Sequence, residues 1–250
     1  MKKLPKSEPK VSRRPLLIKG PRRVLVLSDI HVPYHDHTAI KKAVKYGVEN
    51  GATDVYFNGD LLDFYSLSSF AKDPRERDLH NELTTAAQLI EYIRAEIKPS
   101  KIWFKVGNHE DRFERYLKTK APELMGVKMF NLEDIFKAYN FGVEFVESWR
   151  VVKFGDIVGV HGHEVGKGSG GLHPARWLHL RTNRAAFCGH FHKSDTFISK
   201  DICNEITKTY ALGCLCDLQP DYLVKNNWNH GAGFIVLDAR GRAEFRNLIL

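Results

Sequence analysis

Short apolar runs alternate with segments of helical spacing in the first half of the chain. Residues 24–28, 54–58 and 102–106 are mainly apolar and predict buried strands. Residues 38–50 and 74–97 place apolar side chains on one face of a helix, with Thr38 as the expected N-cap of the first. Each strand is followed by polar residues and then by a helix, which predicts an α/β layered fold.

The second half of the sequence predicts shorter strands. They are expected at residues 143–147, 150–154, 157–160, 185–188, 196–199, 205–211, 233–238 and 243–248. A helical stretch is expected around residues 174–180. The sequence has no internal repeat and no clear linker after residue 23. We therefore expect a single domain, a sandwich of two sheets flanked by helices.

Composition narrows the class of protein. The 250 residues suffice for one large domain, and a hydrophobic content of 43% supports a sizeable core. Four unevenly spaced cysteines do not form a disulfide framework, which favours a reducing, cytoplasmic location. No stretch approaches the roughly 18 apolar residues that span a bilayer, and residues 16–18 are too short for a signal peptide. We expect no membrane association.

The net charge of +8 is concentrated at the N-terminus. Residues 1–23 carry nine basic residues against Glu8, while the remaining basic and acidic residues cancel. Four prolines in this segment favour an irregular arm over residues 1–22, followed by a domain over residues 23–250. Such an arm is expected to bind polyphosphate, DNA or RNA. The alternative is a solvated tail without a partner.

Five clusters of polar residues follow apolar runs. They are Asp29-x-His31, Gly59-Asp60-x-x-Asp63, Gly107-Asn108-His109-Glu110, His161-Gly162-His163 and Gly189-His190-x-His192. Each cluster alone is typical of a turn with surface side chains. Their co-occurrence at successive strand ends is not expected by chance, since open α/β sheets bind ligands at the carboxyl ends of their strands.

The side chains in these clusters indicate metal chemistry. Carboxylate, imidazole and amide ligands without thiolates suit Mn, Fe, Zn or Ni rather than a cysteine-based structural zinc site. About seven such ligands exceed the needs of one tetrahedral ion and match two ions that share a ligand. A water between two such ions loses its proton near neutral pH and becomes a nucleophile. The clusters therefore predict a dinuclear hydrolytic centre.

In their order over residues 24–192, the five clusters resemble the motifs of calcineurin-like metallophosphoesterases. The resemblance implies two stacked mixed β-sheets flanked by helices, with two divalent ions, Mn²⁺ foremost, at the strand ends. It also implies the distribution of ligands. One ion is expected on Asp29, His31 and His192, the other on Asn108, His161 and His190, with Asp60 bridging the two.

The same resemblance implies catalytic roles for two further residues. His109 is expected to protonate the leaving oxygen, and Asp63 to orient the His109 ring. Arg112 and His163 are candidate substrate contacts. The alternative for Arg112 is a solvated position on a helix face. The alternative for His163 is a position behind the metal ligands. Phe64 follows Asp63 where the family's protein phosphatases carry arginine, which counts against a protein-phosphatase activity.

The expected activity is hydrolysis of a phosphoester by a metal-bridging hydroxide. The basic arm favours a nuclease or phosphodiesterase acting on nucleic acid. A phosphomonoesterase and a cyclic-nucleotide phosphodiesterase are the alternatives within the enzyme class. Outside it, the alternative is a non-catalytic scaffold of the same fold, although every ligand position and His109 are filled here.

Overall fold

The structure is a computed structural model that describes residues 14–69, 73, 78–166, 171–220, 223 and 225–250. Its first half contains β1 (Leu16–Ile18), β2 (Arg22–Leu27), α1 (His37–Glu49), β3 (Asp54–Phe57), α2 (Leu79–Ile97), β4 (Lys101–Lys105), α3 (Asp111–Lys120) and α4 (Leu132–Ala138). Its second half contains β5 (Glu144–Val146), β6 (Val152–Phe154), β7 (Ile157–Gly159), α5 (Pro174–Thr182), β8 (Ala186–Cys188), β9 (Asp195–Lys200), β10 (Ile206–Ala211), β11 (Gly231–Leu237) and β12 (Ala243–Ile249).

The strands form two six-stranded sheets. One has the order β12-β11-β2-β3-β4-β5, and β2 to β5 are parallel neighbours within it. The other has the order β1-β6-β7-β8-β10-β9, with antiparallel pairs at β6–β7 and β9–β10. Both sheets are mixed and helices flank them, so the predicted fold is confirmed. Within the described part of the chain, no helix is long and apolar enough to cross a membrane.

Apart from charged residues at their ends, strands β2, β3 and β4 are apolar because both of their faces are buried. In β2, Val24 and Val26 pack between the two sheets, whereas Leu25 and Leu27 pack under the helices. Residues of β3 and β4 alternate in the same way. Burying an aliphatic side chain of this size contributes about 1.5–3 kcal/mol, so this layered core holds the strand ends firmly in register. Those strand ends carry the polar clusters.

The structure differs from the sequence prediction at the start of α1. Asp36 is the N-cap, because its Oδ1 accepts a hydrogen bond of 2.7 Å from Ala39 N. Thr38 was the predicted N-cap, and it lies instead within the first turn. Both residue types cap helices, and Asp36 sits one turn before the first buried residues of the helix.

Part of the arm that was predicted over residues 1–22 belongs to the folded domain. Strand β1 lies within it and pairs in parallel with β6, where Leu16 N donates to Val151 O at 2.9 Å. Arg22 donates to the buried Asp54 carboxylate at 2.8 Å, which fixes the start of β2. Residues 14–22 therefore join the folded domain, and residues 1–13 lie outside the described residues.

Candidate metal centre

The five polar clusters meet at one edge of the sandwich. Three of them follow β2, β3 and β4 in one sheet, and two follow β7 and β8 in the other. Glycines allow these loops to approach closely: a side chain at Gly107 would overlap the Asp60 carboxylate, and one at Gly59 would overlap the His161 ring. In these two motifs, only glycine leaves enough room at the position before the polar residue.

Five predicted ligands have left-handed backbone conformations. Asp29, His31, Asp60, His190 and His192 have φ between 50° and 69°. Each such conformation costs a non-glycine residue on the order of 1–3 kcal/mol, and such residues cluster at functional sites. Asp and His tolerate this region better than β-branched residues do. The loops are thus held in a conformation that turns several donor atoms toward one point.

The first group of donor atoms comprises those of Asp29, His31 and His192. His192 Nε2 lies 3.1 Å from His31 Nε2 and 3.4 Å from Asp29 Oδ1. Asp29, His31 and Asp60 each offer a donor atom within 4.8 Å of the others. These are the residues that the sequence assigned to the first ion, together with the proposed bridge.

The second group contains Asn108, His161 and His190. His161 Nε2 lies 3.0 Å from Asn108 Oδ1 and 3.2 Å from Asp60 Oδ2. Asp60, His161 and His190 each offer a donor atom within 4.8 Å of the others. Asp60 therefore belongs to both groups, which is the position that a bridging carboxylate requires.

The donor set fits two divalent cations. The facing ring nitrogens of His31 and His192 can share one proton or one cation between them, but not two protons. Burial and the neighbouring His161 lower the pKa of His190 to about 4, so its ring is neutral and has a free lone pair at neutral pH. Burial opposes ionisation of Asp60, but His161 and His109 hold its pKa well below its usual range. Imidazole and carboxylate side chains are ligands that borderline divalent ions prefer.

Asp63 orients two imidazoles. Its Oδ1 lies 3.1 Å from His31 Nδ1 and 3.1 Å from His109 Nδ1. These contacts leave Nε2 of each ring facing the centre, as second carboxylates do for metal-bound histidines. Burial lowers the pKa of His109, but Asp60 and Asp63 outweigh it and raise that pKa above the usual value. The sequence predicted the contact with His109 and missed that with His31.

The two candidate substrate contacts lie at the rim of the centre. Arg112 Nη1 donates to Asp63 O at 2.8 Å, and its Nη2 lies 3.0 Å from His109 Nε2. His163 Nε2 lies 3.1 Å from Asp111 Oδ2, and the His163 ring centroid is 5.3 Å from that of His161. Both side chains therefore sit beside the donor groups, and their contact with substrate stays a prediction.

Lys105 and Glu164 form a buried ion pair next to the His161 loop, and neither was predicted from the sequence. The Lys105 side chain is fully buried in β4, and its Nζ lies 3.1 Å from Glu164 Oε1. Glu164 accepts hydrogen bonds from His161 N at 2.9 Å and Gly162 N at 2.7 Å. Burial opposes the charge on Glu164, but Lys105 lowers the pKa of Glu164 to about 2. A lysine inside an apolar strand was the signal that could have revealed this pair.

Replacing Lys105 by methionine is expected to destabilise the fold by about 3–5 kcal/mol, because it leaves the buried Glu164 carboxylate unpaired. Urea denaturation at pH 7 measures this loss. The native pKa of Glu164 is depressed, so the stability it contributes is present above its unfolded pKa and is lost as the pH falls toward 2. K105M should lose less stability over that acid range. An unchanged urea midpoint at pH 7 would show that the pair is not needed.

A thiol also lies beside the centre. Cys216 Sγ is 3.8 Å from His192 Nδ1, and Cys216 offers a donor atom within 4.8 Å of those of His31 and His192. The sequence predicted a ligand set without thiolates. Cys216 lies in the loop after β10, and the end of that strand reaches the same edge because β10 pairs in parallel with β8.

Comparison with known proteins gives one strong match. The sequence profile of the calcineurin-like phosphoesterase family matches residues 22–194, more than half of the chain. The gene 54 protein of Mycobacterium phage L5 is 27% identical over 150 residues, and the gene 54 protein of phage D29 matches to the same extent. The match spans 58% of this chain and 58% of each phage protein.

Solved structures give weaker likenesses. A dimetal phosphatase from Danio rerio is 11% identical, with 91% of this chain and 98% of that chain covered and a TM-score of 0.44. Nuclease MPE from Pseudomonas putida is 13% identical, with 89% of this chain and 87% of that chain covered and a TM-score of 0.39. Neither TM-score reaches 0.5.

Proposed function

Since the chain belongs to the calcineurin-like phosphoesterase family, we propose that it hydrolyses phosphoester bonds at a centre of two divalent cations. The observation that carries this proposal is the pair of donor groups that share Asp60. Asp29, His31 and His192 would hold one cation, and Asn108, His161 and His190 the other. When bound, the cations would supply Lewis-acid activation of the phosphoryl group and of water.

His109 would provide the proton for the leaving oxygen. Its Nδ1 is engaged by Asp63, and its Nε2 accepts a hydrogen bond from Arg112 Nη2 at 3.0 Å, so Nε2 would carry the mobile proton once Arg112 turns to the substrate phosphate. His109 Nε2 lies 3.9 Å from Asp60 Oδ2 and therefore faces the centre. Protonation of a leaving alkoxide by a positioned histidine contributes about 10²–10⁴-fold to rate.

Arg112 would bind a non-bridging phosphate oxygen. Its guanidinium lies at the rim, 17% exposed, with Nη2 next to the His109 ring. A fixed guanidinium fork can donate two parallel hydrogen bonds to phosphate. The position would place the substrate phosphate between Arg112 and the donor groups.

A panel of substrates tests the activity and its preference. Wild-type protein with Mn²⁺ is expected to hydrolyse bis-p-nitrophenyl phosphate faster than p-nitrophenyl phosphate, and His190→Ala should lose both activities. Cyclic nucleotides and single- and double-stranded DNA complete the panel. A faster reaction with the monoester would favour a phosphomonoesterase. No hydrolysis of any substrate by protein with both cations bound would favour a non-catalytic scaffold.

We propose nucleic acid as the substrate class, on the strength of the N-terminal charge. Arg22 and Arg23 are engaged within the fold, since Arg22 pairs with Asp54 and Arg23 Nη1 donates to Asn50 O at 2.8 Å. The charge available to a phosphate backbone therefore comes mainly from residues that precede Arg22 in the sequence. Cations that contact phosphates bind DNA or RNA without sequence preference.

Deleting residues 1–13 is expected to weaken DNA binding and to flatten its salt dependence. The deletion removes five basic residues and Glu8, and it leaves β1 in place. The slope of log K against log salt should fall by about 0.9 for each phosphate that the shortened protein no longer neutralises. Fluorescence anisotropy with a labelled oligonucleotide measures it, and a variant with those five residues changed to glutamine is the control for chain length. Equal slopes for the three proteins would remove the support for a nucleic-acid substrate.

A further inference from the structure

Glu110 lies beneath the centre, and the mechanism described above does not use it. Its side chain is 1% exposed. Glu110 Oε2 accepts hydrogen bonds from Asp60 N at 3.0 Å and Gly107 N at 2.8 Å, and Oε1 accepts one from Leu62 N at 2.9 Å. One carboxylate therefore binds three backbone N–H groups in two different loops.

These two loops carry ligands of both donor groups. The loop after β3 carries Asp60, and the loop after β4 carries Asn108. A fourth hydrogen bond, from His109 N to Asp60 Oδ1 at 2.9 Å, crosses between the same loops. Glu110 belongs to none of the donor groups found among the described residues, so its contacts are with the backbone.

The number of donors requires a carboxylate at this position. An ionised carboxylate is acceptor-only on both oxygens, whereas a glutamine amide accepts on one end and donates on the other. A glutamine here would turn its NH₂ toward at least one N–H group, and a buried donor without an acceptor is costly. No rotation of the amide satisfies Asp60 N, Leu62 N and Gly107 N together.

We propose that Glu110 is a positioning residue. It fixes the position of Asp60 relative to Asn108 and thereby shapes the second cation site. This inference rests on the proposed dinuclear centre. Among the described residues, no hydrogen bond joins Glu110 to Asp29, His31 or His192, the ligands that belong to the first group alone. Loosening the Glu110 contacts should therefore weaken the second cation site more than the first.

Calorimetric titration with Mn²⁺ tests this asymmetry in Glu110→Gln. We expect one equivalent to bind as in wild type and the second to bind on the order of 10–100-fold more weakly, the range seen when groups that orient metal ligands are removed. Electron paramagnetic resonance should then show isolated Mn²⁺ where the wild type shows a magnetically coupled pair. Neither readout depends on turnover.

Glu82→Gln is the matched control. Glu82 is also buried, but among the described residues it accepts one backbone hydrogen bond, from Phe64 N at 2.5 Å, which an amide oxygen can replace. This variant should bind both equivalents as the wild type does. If Glu110→Gln does not fold, Glu110→Asp keeps the charge but is one methylene shorter, and the same asymmetric loss is expected.

Three outcomes separate this inference from the proposed function. Wild-type binding of both equivalents in Glu110→Gln, with a coupled signal, would overturn the role of Glu110 and leave the dinuclear centre standing. Equal weakening of both sites would overturn the asymmetry. If wild-type protein binds fewer than two equivalents, the proposed dinuclear centre itself fails.

Discussion

Replacing Asp60 by asparagine is expected to lower kcat/KM by on the order of 10³-fold, since charge stabilisation by a metal ion is worth several kcal/mol. Asp60 Oδ2 lies 3.2 Å from His161 Nε2 and 3.8 Å from His31 Nε2, one imidazole from each donor group. Asparagine keeps the shape but removes the anion that offsets repulsion between two cations. Steady-state hydrolysis of bis-p-nitrophenyl phosphate at saturating Mn²⁺ measures the loss.

Asp54→Asn is the control for removing a buried carboxylate, and it lies in β3, the strand that precedes Asp60. Asp54 lies at the opposite end of β3 from the centre and pairs with Arg22. This variant should lose stability but keep its activity per folded molecule. Activity of Asp60→Asn within tenfold of wild type would show that the shared carboxylate is not needed for turnover.

Replacing His109 by glutamine is expected to lower kcat by about 10²–10⁴-fold for substrates with an alkoxide leaving group. The loss should be much smaller for p-nitrophenyl esters, because p-nitrophenolate leaves without a proton. Measuring kcat for a dinucleotide and for bis-p-nitrophenyl phosphate separates the two cases. The contrast between substrates distinguishes proton transfer from a general loss of the site.

His80→Gln is the control for this substitution. His80 lies on α2, where its Nδ1 is 2.8 Å from Tyr139 Oη, and it takes no part in the centre. It should leave both rates unchanged. An equal loss for both substrates in His109→Gln would mean that His109 acts by binding phosphate charge rather than by giving a proton.

Residues with local chemical signatures could be predicted from the sequence. Asp29, His31 and Asp60 follow short apolar runs directly, and parallel strands bring such ends to one edge of a sheet. All seven predicted ligands lie together in the structure, as the geometry of both donor groups shows. That these residues bind metal ions stays a prediction.

Residues that act on a distant backbone could not be predicted in this way. Glu110 and Glu164 accept hydrogen bonds from backbone groups whose positions depend on the complete fold. Cys216 reaches His192 only because β10 returns beside β8. Strand β1 was missed because three residues give no periodicity, and its pairing partner β6 lies more than a hundred residues away in the sequence.

Metal stoichiometry is the most direct measurement of the central claim, that two cations share Asp60. Equilibrium dialysis against Mn²⁺, followed by elemental analysis, should give two ions per chain for the wild type and one for Asp60→Asn. One ion or none in the wild type, or two ions in Asp60→Asn, would contradict it.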